Sequence, residues 1–261
     1  MILWCDGGHD PAENMRRDTA LLEAVAAGGE SVLRLFTFVP AGITLGRAQD
    51  PARELDLGRC RAAGVLWAVR PTGGRAIYHD EEWTYSLAAG LADPAWGGRL
   101  EAAYGKASRL LVASLARLGV PTALAPGAGR ADLAPRSAAG AAAPCFASTA
   151  RHEIVLDGRK LVGSAQRRTA RALLQQGSLL LGSSHLRLAD FLAIPEAMRE
   201  RVRAGLDRAS AHAGPWLGPR PPLARWADAL QEELPPGTRR FEGEEGLRAT
   251  GAGGPPSAPA V

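Results

Sequence analysis

The least ordinary feature of this chain is a lysine set among apolar residues. Glu153-Ile154-Val155-Leu156 and Lys160-Leu161-Val162-Gly163 flank Asp157-Gly158, a pair that tolerates positive φ and closes a tight hairpin. A two-residue turn sets Lys160 opposite Val155. Strand alternation then puts Val162 on its face and Ile154, Leu156 and Leu161 on the other. An ammonium placed there is costly to bury without a partner, and lysines so placed are often functional. The alternative is that Lys160, close to the turn, snorkels to solvent.

Cys145, in Pro144-Cys145-Phe146-Ala147-Ser148, is the second candidate. A free cysteine is commonly a small buried hydrophobe, and Cys5 and Cys60 are read that way. As a nucleophile, a thiolate suits acyl transfer: it exchanges one thioester for another of similar energy, and passage of the acyl group to an amine then runs downhill without ATP. The third candidate is Arg70-Pro71-Thr72-Gly73-Gly74-Arg75, followed by His79-Asp80. Paired glycines let a backbone approach a ligand and point amides at a carbonyl or phosphate, and Arg70 and Arg75 can pair with an anion. An ordinary tight turn is the alternative, and no Gly-Lys-Ser/Thr follows to make a Walker A loop. His79 is a candidate base or a core histidine; His152 and His185 stand outside any constellation.

These residues need elements to hold them. Asp10-Pro11-Ala12-Glu13 opens a helix that carries Met15, Leu22 and Val25 and ends at Gly28-Gly29. Strands are predicted over Ser31 to Val39, Ile43 to Leu45, Val65 to Val69, Ala76 to Tyr78 and Thr84 to Leu87. A second helix starts at Asp50-Pro51 and runs to Gly64, and a third spans Leu100 to Leu118. Residues 125 to 144 are Ala, Gly and Pro, which predicts a long loop delivering Cys145. Leu179-Leu180-Leu181 reads as a buried strand, and Pro195 to Ala204 and Leu223 to Leu234 as closing helices. From Glu242 the pattern fades into Gly, Pro, Ala and Ser, so the chain divides into a domain over 1–241 and a disordered tail over 242–261.

The 261 residues, with 46% hydrophobic content, suffice for one substantial core. A net charge of +4, mostly arginine, suits an acidic protein partner, and no Lys/Arg run interleaved with aromatics argues for nucleic acid. Three widely spaced cysteines give neither a disulfide framework nor a zinc site. No basic-then-apolar start and no segment of roughly 20 apolar residues is seen, so a cytoplasmic protein off the membrane is expected.

Taken together the motifs resemble the biotin/lipoyl protein ligase superfamily, and within it the cysteine-dependent octanoyl-carrier-protein:protein octanoyltransferases. The resemblance runs from about Asp10 to Leu181. It rests on Arg70-Pro71-Thr72-Gly73-Gly74-Arg75-Ala76 with His79-Asp80 and Thr84-Tyr85-Ser86, on Cys145-Phe146, on Gly158 through Gln166, and on Leu174-Gln175-Gln176-Gly177-Ser178. Val69 stands where the family commonly has the first of two arginines, and Ser148-Thr149-Ala150-Arg151-His152 departs from its usual string after the cysteine.

The resemblance implies an α+β (mixed α/β) fold, a curved mixed sheet flanked by helices around a narrow acyl tunnel. It implies Cys145 and Lys160 as catalytic residues, with Arg70, Thr72, Gly73, Gly74, Arg75, His79, Gly163, Ser164 and Ala165 at the substrate. It implies no cofactor and no metal. The donor would be octanoyl-acyl carrier protein. The acceptor would be a lipoyl carrier domain such as the glycine cleavage H protein or a 2-oxoacid dehydrogenase E2 subunit. An ATP-dependent lipoate ligase, an amidotransferase between carriers and a non-catalytic lipoyl-binding module remain alternatives.

Overall fold

The computed structural model describes residues 1–125, 152–218 and 220–253. Cys145 and the Ala/Gly/Pro-rich stretch before it lie outside the described residues.

Helix α1 (Pro11–Ala26) begins as the sequence predicts: the Asp10 carboxylate accepts from the Glu13 amide (2.9 Å) and Pro11 opens the first turn. Its buried face is not simply apolar, because Asn14, Arg17 and Asp18 lie between Met15, Leu21, Leu22 and Val25. Strand β1 (Ile2–His9) precedes it, and β2 (Val32–Phe38) and β3 (Gly42–Leu45) follow. The single helix expected from Asp50 to Gly64 is two, α2 (Pro51–Glu54) and α3 (Leu57–Ala62). The break has a cause. Leu55 turns inward to bridge Leu192, and Asp56 caps the second helix by accepting from the Arg59 amide at 3.0 Å.

Next come β4 (Leu66–Val69), β5 (Ile77–His79), β6 (Glu82–Gly90), α4 (Leu100–Arg117) and β7 (Ala123–Leu124). After the undescribed stretch are β8 (Ile154–Leu156), β9 (Arg159–Arg168) and β10 (Ala172–Leu180). The chain closes with α5 (Leu188–Phe191), α6 (Glu196–Ala209), α7 (Gly214–Leu217), α8 (Leu223–Gln231), β11 (Arg239–Glu242) and α9 (Gly243–Ala249).

The main sheet has the order β11-β1-β2-β6-β10-β9-β8-β7, parallel at its first three strands and antiparallel beyond. A smaller sheet, β4-β3-β5, is joined to it through the corner between β5 and β6. The architecture is therefore the mixed α/β one expected, a mixed sheet flanked by helices. Strand alternation sorts the two faces. Trp83, Tyr85 and Leu87 of β6 enter the large core beneath α4 and α8, where Trp83 stacks on Trp226 at 5.5 Å between centroids. The intervening residues face the other way, and Ser86 donates to Asp18 of α1 at 2.6 Å. A second core fills the small sheet from Ile43, Leu45 and Tyr78 to Leu188 and Phe191.

The C-terminal expectation needs correction. Residues 239–242 form β11 alongside β1, and Leu247 of α9 and Ala252 just beyond it pack into the core with Ile2 and Trp4. Gly246 makes this approach possible: a Cβ there would lie 2.0 Å from the Trp4 ring, whose Nε1 donates to Gly243 O at 2.8 Å. Glycines that look like disorder in composition are contact positions here. Residues 254–261 lie outside the described residues. No helix among the described residues is long and apolar enough to cross a membrane.

Candidate active site

Between α1 and the main sheet lies a pocket with about 390 Å³ of empty space, mouth included. Met15, Phe36, Phe38 and Ile77 give it an apolar wall, and the strands β9 and β10 contribute Gly163 to Ala165 and Gln176 to Ser178. Arg70, Thr44, His79 and Thr84 supply polar groups at its edge. An apolar cleft with a few convergent polar groups suits a small acyl chain, each buried methylene of which contributes about 0.8 kcal/mol.

The glycine loop is held by the arginine that precedes it. Arg70 donates from Nε and Nη2 to Gly73 O (3.1 and 2.8 Å), from Nη2 to Arg75 O (2.8 Å), and from Nη1 to Thr44 O and Oγ1 (both 3.2 Å). Through these bonds Arg70 clamps the loop. Arg75, Gly73 and Gly74 are exposed. Gly74 takes φ +93°, and Gly46 lies so close beneath that a Cβ on it would stand 2.0 Å from Gly74 O. Thr72 is buried, donating its hydroxyl to Gln176 Oε1 at 2.6 Å and accepting the Arg47 amide at 2.9 Å.

His79 stacks on Phe38 at 3.9 Å between centroids. Its Nε2 meets Thr44 Oγ1 at 2.7 Å and its Nδ1 meets Glu82 Oε1 at 2.6 Å, and Thr84 and Ser178 also donate to that oxygen. With both nitrogens engaged inside the fold, His79 has none to offer an incoming amine. Ser164 lines the pocket, but its hydroxyl is bonded to the Tyr85 phenol at 2.8 Å. Burial pushes that phenol up to about 12, so at neutral pH it is a hydrogen-bonding group and not a base.

Lys160 is 3% exposed, and its Nζ lies 2.5 Å from Glu153 Oε1. The hairpin turn is as expected, with Val155 opposite Lys160, but the register shifts next to it: Ile154 pairs with Val162, so Leu161 is an extra residue on β9. A bulge re-aims side chains. Leu161 and Val162 both enter the core beneath α4 and α8 with Ile154 and Leu156. Lys160 thus turns to the other face with Val155 and Glu153, the face on which alternation places Gly163 and Ala165. Val162 does not share its face, and the surroundings are not purely apolar. Sequence reasoning missed the partner, although a signal existed: Glu153 has the parity of Val155 and sits diagonal to Lys160 across the hairpin.

Cys145 cannot be placed, lying outside the described residues. Cys5 and Cys60 are buried, and desolvation pushes both thiols up, Cys5 to about 12, so neither is a nucleophile at neutral pH. His185 is buried against Ser210 Oγ at 2.8 Å, remote in role from the pocket.

Gly177 shows how tightly β9 and β10 are set. A Cβ there would stand 2.5 Å from Tyr85 Cε1, 2.6 Å from Ser164 Oγ and 3.0 Å from Gly163 O. Gly177→Ala is therefore expected to destabilise by about 1–3 kcal/mol and to lower turnover by displacing β9. A urea titration with an unchanged midpoint would contradict this.

Fold and site together define an α/β enzyme domain with a small, mostly apolar pocket bordered by Arg70, His79 and Gly163 to Ala165; Lys160, Thr72, Gly73, Gly74 and Arg75 are not among the residues that line it. The chain belongs to the family described as the lipoyl protein ligase A/B catalytic domain, which matches residues 10–235. It is 37% identical over 229 residues to the octanoyltransferase LipM of Symbiobacterium thermophilum, covering 86% of this chain and 80% of that one. It is 35% identical over 201 residues to the LipM of Carboxydothermus hydrogenoformans, covering 76% and 71%. In fold it is similar to a bipartite lipoate protein ligase of Thermoplasma acidophilum (TM-score 0.70, 18% identity, 96% of this chain and 89% of that one). A lipoate-protein ligase A bound with ATP is also similar (TM-score 0.67, 21% identity, 96% and 92%).

Proposed function

We propose that this enzyme transfers an octanoyl group to a lysine of a lipoyl carrier domain through a thioester on Cys145. The Cys145 thiolate attacks the carbonyl of an octanoyl thioester on acyl carrier protein and expels the carrier's thiolate. The neutral amine of the acceptor lysine then attacks the enzyme thioester. The amide forms, the Cys145 thiolate leaves, and the amine's surplus proton passes to solvent. In both steps negative charge grows on the carbonyl oxygen. Lys160, steadied by Glu153, donates to that oxygen, and a preorganised donor of this kind lowers the barrier. In this reading the exposed Gly73-Gly74 turn, held by Arg70 and Thr72, meets the substrate outside the pocket, and Gly163 and Ala165 bring backbone to the acyl chain.

The observation that carries the reading is a buried Lys160–Glu153 pair on the pocket's side of the sheet, in a chain whose curated relatives are octanoyltransferases. The acceptor is a glycine cleavage H protein or a 2-oxoacid dehydrogenase E2 subunit. We place the reaction in the cytoplasm, where Cys5 and Cys60 remain thiols.

Incubation with octanoyl carrier protein is expected to add one octanoyl mass to Cys145 without nucleotide. Cys145→Ser is expected to lower transfer about 1,000-fold or more. Normal transfer by that variant, or strict dependence on ATP with free acid as donor, would replace this mechanism with that of a ligase.

A further inference from the structure

Among the described residues, strand β4 ends the small sheet with its outer edge open, β3 being its only strand partner there in the order β4-β3-β5. Three of the six large hydrophobic residues exposed among the described residues lie on its four positions: Leu66 is 47%, Trp67 39% and Val69 41% exposed. Folded proteins protect a hydrophobic sheet edge with charge, proline or a covering element. Leu-Trp-Ala-Val carries neither charge nor proline. The Arg70 amide bonds Leu45 O at 2.8 Å, so alternation along the ladder points the Trp67 and Val69 amides away from β3, toward the open side. Edge and side chains together have the form of a site for an added strand.

The place of β4 beside the pocket says what would use it. Ala68 turns inward onto Met15, Phe36 and Phe38, which form the pocket wall. Past Val69 the chain runs straight into Arg70 and the exposed Gly73-Gly74 turn. An acyl donor carries its thioester on a long flexible arm and can seat its body far from the pocket. An acceptor has only the four-carbon stem of a lysine, so its body must sit against the mouth. Exposed Arg47 and Arg61 flank the two ends of the strand, which selects an acidic partner.

We propose that the acceptor carrier domain docks on β4, laying an extended segment next to its target lysine along the Trp67–Val69 edge. This rests on the acyl-transfer reading, so two measurements are combined. Hydrogen exchange on the full chain with the unmodified carrier domain is expected to slow the Trp67 and Val69 amides. Kinetically, Trp67→Glu is expected to raise the acceptor KM at least tenfold while the rate of octanoyl loading onto the enzyme, measured without acceptor, stays at the wild-type value. Trp67→Thr, which keeps strand propensity, reports whether the charge or the lost indole is responsible. Unchanged exchange together with an unchanged acceptor KM overturns the proposal. So does slowed loading with a normal acceptor step, which assigns the edge to the donor, or self-association that Trp67→Glu abolishes without altering KM. If the wild-type enzyme never loads octanoate, the acyl-transfer reading fails, and the exchange experiment still decides the docking surface.

Discussion

Lys160→Met is expected to lower octanoyl transfer by about 100- to 1,000-fold, the usual cost of removing one preorganised donor to a developing oxyanion. It is also expected to destabilise the fold. Glu153 Oε1 lies 2.5 Å from Nζ, and both side chains are almost wholly withdrawn from water. Removing one member of a buried pair costs roughly 3–5 kcal/mol because the other charge stays buried. Activity and stability can be separated. Adding Glu153→Gln to Lys160→Met replaces the carboxylate by a neutral amide, so the double variant should recover most of the stability and none of the activity. Urea midpoints and single-turnover acyl transfer measure the two quantities. If the double variant regains transfer, the ammonium plays no part in the chemistry; if Lys160→Met keeps more than a tenth of the wild-type rate, the same conclusion follows.

The same pair shows what was legible in the sequence. Local signals carried well: the Asp10-Pro11 cap, the Asp157-Gly158 turn and the helical period from Leu100 are each written within a few residues. Motif resemblance led to the family and to a pocket bordered by Arg70, His79 and Gly163 to Ala165. Features that depend on distant partners did not carry. Nothing in Ile2–His9 announces a strand wedged between β2 and β11, and the bulge that re-aims Lys160 is set by pairing register, which composition does not encode. The hold of Arg70 on its own loop was not legible either, because most of the partners it shows, the carbonyls of that loop and of Thr44, are backbone atoms. The helix after Glu242 was hidden by glycines that serve as contact points against Trp4.

A further layer was equally hidden, because its members are scattered along the chain. Asp18 accepts from Ser86 and from Gln176, and Gln176 accepts from Thr72, so the glycine loop is tied through β10 to the inner face of α1. The pocket is thus supported by a polar network, while its wall is apolar. Such networks cost stability when a member is missing and impose one arrangement when complete. The proposed transfer, in which a carbonyl is set against one ammonium, would require that uniqueness more than added stability.

Arg34 is the centre of the network and gives the second large expected effect. It is fully buried. Its guanidinium reaches Asp6 Oδ2 (2.6 Å from Nη2, 2.8 Å from Nε), Asp18 Oδ1 (2.6 Å), Asn14 Oδ1 (2.7 Å) and Asn14 O (3.1 Å). It also lies 3.9 Å over the ring of Phe36, part of the pocket wall. Arg34→Met leaves two buried carboxylates without this partner and is expected to cost about 3–5 kcal/mol, a large fraction of the roughly 5–15 kcal/mol that holds a typical domain. Arg34→Lys should recover little, because one ammonium cannot span two carboxylates and an amide as a planar fork does. Neutralising the acids decides the cause. If buried charge is the source of the loss, Arg34→Met combined with Asp6→Asn and Asp18→Asn should unfold at a urea concentration much closer to wild type than Arg34→Met alone. If the triple variant is no better, the loss comes from packing on Phe36 and Trp4. If Arg34→Met itself unfolds within about 1 kcal/mol of wild type, the network does not hold the pocket.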